Sequence, residues 1–348
     1  MMRSVWPRIG LCLIASLWLE SAGAQPAEEF FLGKRELTLI TSSAAGGGYD
    51  QYSRMLARHM AKHLPGNPII VVQNMIGGGG IRSANFLYNV APKDGTVFGL
   101  IDRGMPTAPL LYGDKSQARF DAGRFSWIGS IMRETGMGVL ATRSMVKSIE
   151  DAKRHEIFFG STGPETDPAM FVRLVNELLR TRIKVIHGYK GQPEEFQAVE
   201  KGEIDGLFMS GWSGPGRAYV RDRMGRGELR LLVQMAPERD PLHQETPTIL
   251  ELVTAPDDRR IVQLVLDRMT LGRPLFAPPG IAADRLSLLR RAFRQAIEDP
   301  ELKADAEKQR LALDPTWGEE AERVIKALYA TPAGVVERAR RIVAVAGE

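Results

Sequence analysis

The chain is 348 residues long and 25% of them are charged, 46 Lys and Arg standing against 42 Asp and Glu for a formal net charge of +4. The positive residues are scattered among acidic ones, without a basic stripe interleaved with aromatics, which argues against a nucleic-acid partner. Such a length exceeds what one core ordinarily holds and points to two lobes.

The first element is a targeting segment. Arg3 and Arg8 precede the apolar run Ile9–Leu19, and Ser21-Ala-Gly-Ala24 closes it, so a secretory signal is expected over residues 1–24 with cleavage after Ala24. Cys12, the only cysteine, lies inside that run, which leaves the mature chain without a disulfide, a thiol nucleophile or a cysteine metal site. No other apolar run is long enough to span a bilayer, and the product is expected in the periplasm.

A short apolar strand, Leu37–Ile40, then enters the small-residue loop Thr41-Ser-Ser-Ala-Ala-Gly-Gly-Gly48. A helix follows to about His63, with Tyr52, Met55, Leu56, His59, Met60 and His63 at i, i+3, i+4 spacing. Pro65-Gly-Asn-Pro68 stops it. Ile69–Gln73 is a second strand, Gly77–Gly80 a second glycine loop, and a helix through Ala84, Leu87 and Tyr88 leads to the strand Thr96–Ile101. Repeated β-loop-α-β units imply parallel strands with right-handed crossovers.

Ser126–Met132 and Gly138–Thr142 read as strands, and Ser148–Arg154 as a short helix with Ser148 as its N-cap. Strand Ile157–Gly160 opens a second small-residue loop, Ser161–Asp167. Asp167-Pro168 is expected to cap a helix that carries Met170, Phe171, Leu174, Val175, Leu178 and Leu179 on one face. Strand Val185–Tyr189, helix Glu194–Glu200, strands Ile204–Met209 and Leu229–Gln234, and a turn into a helix at Thr246–Glu251 follow. Leu271–Ala277 returns as a strand, and the remainder is helical: Asp284–Glu298, Pro300–Arg310, Glu319–Leu328 and Pro332–Val345. Crossings between lobes are expected near Gly136–Gly138 and Gly272–Pro274.

Catalytic constellations do not assemble. His59 and His63 have the spacing of helical metal ligands but lack the Glu of an H-E-x-x-H arrangement, so helix packing is the expected role. Gly211-Trp-Ser213-Gly214 is not a G-x-S-x-G elbow, and neither glycine loop is a P-loop or a dinucleotide fingerprint. Two strand–loop–helix units in different lobes, however, can aim helix starts across one cleft and hold an anion bearing two acid groups. In that reading the amides of Ala45, Gly46, Gly47 and Gly48 hold one acid group and the Ser161–Gly163 loop holds the other. Gly191 and Gln192 wall the far side. Ser42, Ser43, Ser161, Thr162 and Thr166 supply hydroxyls, although each also suits a cap or turn. Asp50 suits a loop brace or N-cap, or a ligand contact through a hydroxyl, an amine or a bridging water.

The ordered motifs resemble those of the Bug-type receptors, the periplasmic solute-binding proteins of tripartite tricarboxylate transporters. Ala45-Gly-Gly-Gly-Tyr-Asp50-Gln-Tyr-Ser-Arg54 follows their first loop, P-G-G-x-T-D-x-x-A-R. Gln73-Asn-Met-Ile-Gly77-Gly-Gly-Gly80 is similar to E-N-R-P-G-A-G-G, and Lys93-Asp-Gly-Thr96 to P-D-G-Y-T. Gly160-Ser-Thr-Gly163 fits G-S-x-G. His187-Gly-Tyr-Lys-Gly191 with Gly202 and Asp205 fits V-P-Y-K-G…G-x-x-D, and Pro247-Thr248…Glu251 fits P-T-x-x-E. Departures fall at Ala45, Tyr49, Met75-Ile76 and Pro164-Glu165-Thr166-Asp167.

The resemblance implies an α/β, two-lobed periplasmic-binding-protein (Venus flytrap) fold, each lobe a mostly parallel sheet flanked by helices. Lobe one is expected over 35–137 plus 275–348 and lobe two over 138–274. It implies a non-catalytic, monomeric receptor without cofactor or metal, which passes a small carboxylate to the membrane subunits of a tripartite tricarboxylate transporter. Gly78, Tyr189 and Asp205 join Ser43, Ala45–Gly48, Asp50, Ser161–Gly163, Thr166, Gly191 and Gln192 as its ligand-binding residues. A sensor that docks on a signalling kinase ectodomain and an exported hydrolase using Ser161 or Ser213 are the competing readings.

Overall fold

The computed structural model describes residues 26–164, 166–212 and 214–344. The expected signal segment with Cys12, together with Glu165 and Ser213, lies outside them. The chain opens with β1 (Glu36–Thr41), β2 (Ile69–Asn74), β3 (Val97–Leu100) and β4 (Ser126–Ser130). It then builds a second sheet from β5 (Gly136–Ala141), β6 (Ile157–Ser161), β7 (Ile183–His187), β8 (Gly206–Met209) and β9 (Leu229–Met235). It returns to the first sheet for β10 (Pro274–Ala277) and β11 (Thr316–Trp317). Strand orders are β11-β4-β10-β3-β1-β2 and β7-β6-β8-β5-β9.

Where a mostly parallel sheet is expected in each lobe, the pairing is mixed. β1 runs parallel to β2 and β3, and β6 to β7 and β8, because helical crossovers join them. β10, β11 and β5 pair antiparallel with their neighbours, each entering its sheet from another direction. Register decides where the loops emerge. Thr41 lies opposite both Asn74 and Leu100, and Ser161 lies opposite His187, so the loops after β1, β2 and β3 leave one edge together and those after β6 and β7 leave another. In open α/β sheets such carboxyl-end edges carry the ligand site.

Each sheet is buried on both faces. In the first, Leu37, Leu39, Met55, Leu56, Leu289 and Phe293 form the core on one side and Ile40, Leu87, Trp127 and Phe276 the core on the other. His59 and His63 pair with Asp305 and Asp299, each at 3.0 Å, and so tie the helix Gly48–Met60 and its following turn to the helix Pro300–Gln309 and its N-cap. Among the described residues no group of His, Cys, Asp and Glu could hold a metal.

Two segments join the sheets, residues 131–135 and 271–273. They run side by side: the Ile131 amide donates to the Arg273 carbonyl (3.1 Å), and the Glu134 amide to that of Met269 (2.8 Å). The last helix bridges the lobes: Ala333–Val343 buries Val335, Val336, Ala339, Ile342 and Val343 with the second-lobe residues Met170, Leu174, Ile261 and Val265 and with Leu111 of the segment after β3. A helix at Gly214–Gly225, not anticipated from sequence, follows β8, because its Gly-Pro-Gly start and dispersed charges leave no apolar stripe to read.

Candidate ligand-binding cleft

The loop after β1 is braced from within. Asp50, 2% exposed at the third position of its helix, accepts from the Gly46 amide (2.8 Å), Arg54 Nε (2.9 Å) and Asn74 Nδ2 (2.8 Å). The Arg54 hydrogen bond is the main reason that its carboxyl titrates at about 2. The Gly47 amide turns back to the Ala44 carbonyl (3.0 Å), and Ser43 Oγ accepts from the Asp50 amide (2.9 Å). Of the four amides expected to face an anion, those of Gly46 and Gly47 are therefore spent inside the loop. The amides of Ala45, Gly48 and Tyr49, at the positive end of the helix, have no hydrogen-bond partner among the described residues.

Tyr49 is the bulky departure from the family pattern, and it fastens three segments. Its hydroxyl accepts from the Arg103 amide (2.9 Å) and donates to the Gly272 carbonyl (3.2 Å), while the Arg273 guanidinium lies 4.5 Å from its ring centroid. Burial pushes its hydroxyl well above the usual phenol range, so it stays protonated. In the loop after β2, Gly77, Gly78, Gly79 and Gly80 all have positive φ (147°, 53°, 56° and 91°), a conformation only glycine adopts cheaply. A Cβ on Gly80 would also come within 2.7 Å of Ile101.

In the second lobe, Ser161 is fully buried. Its Oγ lies 2.9 Å from the Gly163 carbonyl, 2.8 Å from Thr166 Oγ1 and 3.2 Å from the Gly163 amide. Its hydroxyl closes the loop, and among the described residues no histidine or carboxylate is hydrogen-bonded to it. Thr166, not Asp167, is the N-cap of the helix Asp167–Leu179. The Asp167 carboxylate is engaged elsewhere. It pairs with Arg103 Nη2 (2.6 Å), from the turn after β3, and with Arg268 Nη2. Burial raises its pKa, but the two guanidiniums outweigh that and hold it below the usual range.

Arg103 also donates to the Ser210 carbonyl (3.1 Å) and lies 3.5 Å from Glu134 Oε1. Glu134, 5% exposed in the first crossing, pairs with Arg273 of the second at 3.0 Å. Arg103, Arg268 and Arg273 thus meet Glu134 and Asp167 where the lobes join, and the Nε of each arginine is buried without a partner. Beside this junction opens a cavity of about 860 Å³, bounded by Gly78, Gly79, Asp102, Leu111, Tyr112, Arg173, Arg268 and Arg340 among others.

Two sheets joined by paired crossings, with carboxyl-end loops around a charged cleft, can be compared with known proteins. A solved TctC solute-binding protein from Polaromonas superposes with a TM-score of 0.69 at 19% identity, over 88% of this chain and 99% of that one. The fold is that of the TctC/Bug-type solute-binding proteins. MatC from Rhodopseudomonas palustris, solved with bound malate, has the same fold at a TM-score of 0.56 and 18% identity, covering 89% of this chain and 99% of that one. In sequence, the chain is 28% identical over 295 residues to a UPF0065 protein of Cupriavidus necator, 82% of this chain and 81% of that protein. No protein-family model matches. The resemblance drawn from the ordered motifs agrees with these likenesses.

Within this solute-binding fold the candidate residues separate. Ser43, Ala45–Gly48 and Asp50 share the loop after β1, Ser161–Gly163 and Thr166 share that after β6, and only Gly78 lines the cavity. Tyr189 packs against Gly160, and Gln192 reaches the start of the helix Gly214–Gly225, where a Cβ on Gly216 would lie 2.8 Å from its Oε1. Asp205 is displaced from the cleft. It precedes β8 at the opposite end of the sheet and accepts from the Phe158 amide (2.9 Å), locking β6 to β8. Arg103, Arg173, Arg268, Arg273 and Glu134 were not singled out from sequence. The one available signal was Asp102-Arg103-Gly104 directly after a parallel strand, at a carboxyl end. Ser161→Ala should cost about 1–3 kcal/mol of stability, since it removes the buried closure of its loop, and leave ligand affinity nearly unchanged. Urea unfolding set beside calorimetric titration separates the two effects. An affinity loss without a stability loss would return Ser161 to the ligand.

Proposed function

We propose that the protein is an exported, monomeric receptor that captures a small organic anion between its lobes and releases it, chemically unchanged, to a membrane transporter of the tripartite tricarboxylate type. The lobes divide at residues 131–135 and 271–273. The observation that carries this reading is the junction itself. Loop edges of both sheets converge on buried guanidiniums, whose Nε donors lack protein acceptors. Open amides at Ala45 and Gly48 add donors fixed before a ligand arrives, so little ordering entropy is lost on binding. The malate bound by a protein of the same fold supports a carboxylate as the ligand class. The engagement of the Ser161 hydroxyl within its own loop supports binding over hydrolysis.

The test is thermal shift and calorimetry of the exported protein against succinate, malate, adipate and citrate, together with the mass of any copurifying ligand. A bound anion at about a hundred times its Kd should stabilise by about 2.7 kcal/mol. Gly48→Val should weaken it by about tenfold or more, because a branched Cβ then shields the amide, whereas the space beside Gly48 is open enough for the fold to survive, the nearest atom being Arg273 Nη2 at 3.8 Å. No shift with any acid, and no copurifying anion, would end the receptor reading. Transport is tested by uptake of the labelled ligand in cells lacking the receptor.

A further inference from the structure

The cavity beside the lobe junction has a composition that a four-carbon diacid does not explain. Its volume of about 860 Å³ equals that of roughly thirty water molecules, several times what a diacid of about eight heavy atoms displaces. Its lining is divided. Leu111 and the exposed ring of Tyr112 supply apolar surface, and Arg173, Arg268 and Arg340 supply positive charge, with Asp102 as the opposing carboxylate.

Arg173 is the informative residue. It projects from the helix Asp167–Leu179, and its Nη1 and Nη2 donate to the carbonyls of Pro164 (2.8 Å) and Val343 (3.0 Å). Its Nε is buried with no acceptor, and no carboxylate of the described residues lies within ion-pair reach. Burial lowers its pKa, and the half-buried guanidinium is offset among the described residues by these two carbonyls alone, which leaves it able to receive an anion. Arg268, nine-tenths buried, also presents an Nε without an acceptor, while its Nη2 is held by Asp167. Gly78 and Gly79, both at positive φ, line the same cavity.

We propose that this cavity is a compartment of the cleft separate from the loop after β1, and that it takes an amphipathic organic anion, a carboxylate or sulfonate on a bulky hydrocarbon or aromatic body. The acid group sits between Arg173 and Arg268, and the body lies against Leu111 and Tyr112. The assignment rests on the receptor reading and specifies its ligand class. It also makes Asp167 a competitor, since the ligand's acid group and Asp167 share Arg268.

The probes are 2-naphthoate and succinate, titrated into the full chain by calorimetry at low salt. Naphthoate should bind about tenfold or more tighter than succinate. Arg173→Gln should weaken naphthoate by about tenfold while leaving the ligand-free melting temperature within a few degrees. Tyr112→Ala, at an exposed ring, should weaken naphthoate and leave succinate unaltered. Naphthoate binding that is indifferent to both substitutions overturns the compartment assignment. So does succinate binding as tightly as naphthoate, while the receptor reading stands. Binding of neither probe, nor of any acid in the wider panel, overturns both.

Discussion

Asp167→Ala is expected to destabilise the protein by about 3–5 kcal/mol, a large share of the stability of an ordinary domain. The side chains of Asp167, Arg103 and Arg268 are 13%, 11% and 10% exposed, so water cannot take over the lost carboxylate. Two guanidiniums would then remain buried beside one another, with Glu134, 3.5 Å from Arg103, and Asp102 as the remaining nearby carboxylates and no direct ion pair to either Arg103 or Arg268 as close as that with Asp167. The contrast within the same molecule is the Asp50–Arg54 pair, where Arg54 is 46% exposed and its solvated charge makes the pair worth far less. Because Arg103 follows a first-sheet strand and Asp167 opens a second-lobe helix, the substitution should also loosen the lobes. Urea unfolding measures the first effect, and the radius of gyration in solution the second. A midpoint equal to wild type would mean that the pair is solvated and that the lobes are held by the crossings alone. Chloride or a ligand acid group should partly restore Asp167→Ala, since either supplies the missing negative charge between Arg103 and Arg268.

What sequence could show of this site follows from what is local. The loops after β1, β2 and β6 were legible because strand, small residues and helix start are contiguous, and because glycine at positive φ leaves a composition signature, as at Gly77–Gly80. The lobe junction was not, because Arg103, Glu134, Asp167, Arg268 and Arg273 come from five separate segments and meet only through the fold. Each alone reads as a surface charge, and Asp167 followed by Pro168 reads as an N-cap. Asp205 shows the converse error: it fits a motif that includes ligand-loop residues, yet strand direction carries it to the far end of β8. The helix Ala333–Val343 has a clear apolar face, but periodicity does not say what receives it, and it packs both on Met170 and Val265 and on Leu111. In the loop after β1, glycine count suggested four open amides, and the Asp50 carboxylate together with the Ala44 carbonyl withdrew two of them.

Glu195→Gln is expected to stabilise the protein in a pH-dependent way. Glu195 is the fourth residue of the helix Gln192–Lys201, 2% exposed, and its carboxyl makes no ion pair or hydrogen bond among the described residues. It packs beneath the second-lobe loop, where a Cβ on Gly160 would lie 3.3 Å from its Cγ. Burial pushes its carboxyl up to about 7. Below the unfolded carboxyl pKa of about 4.3 both states hold the proton, and the residue costs nothing through ionisation. As pH rises above that value the unfolded chain releases its proton while the native chain keeps it, so stability falls, and the loss is complete once pH passes about 7. The difference corresponds to at most about 4 kcal/mol. Glu195→Gln, which keeps the shape and removes the charge, should therefore be nearly neutral near pH 4 and gain up to about 4 kcal/mol near pH 8. Urea midpoints at three pH values test it, and a gain independent of pH would place the effect in packing instead. The native carboxyl lies under the loop that carries Ser161 and Thr162. The contribution of Glu195 to wild-type stability is thus least favourable at and above neutral pH, directly beneath that loop.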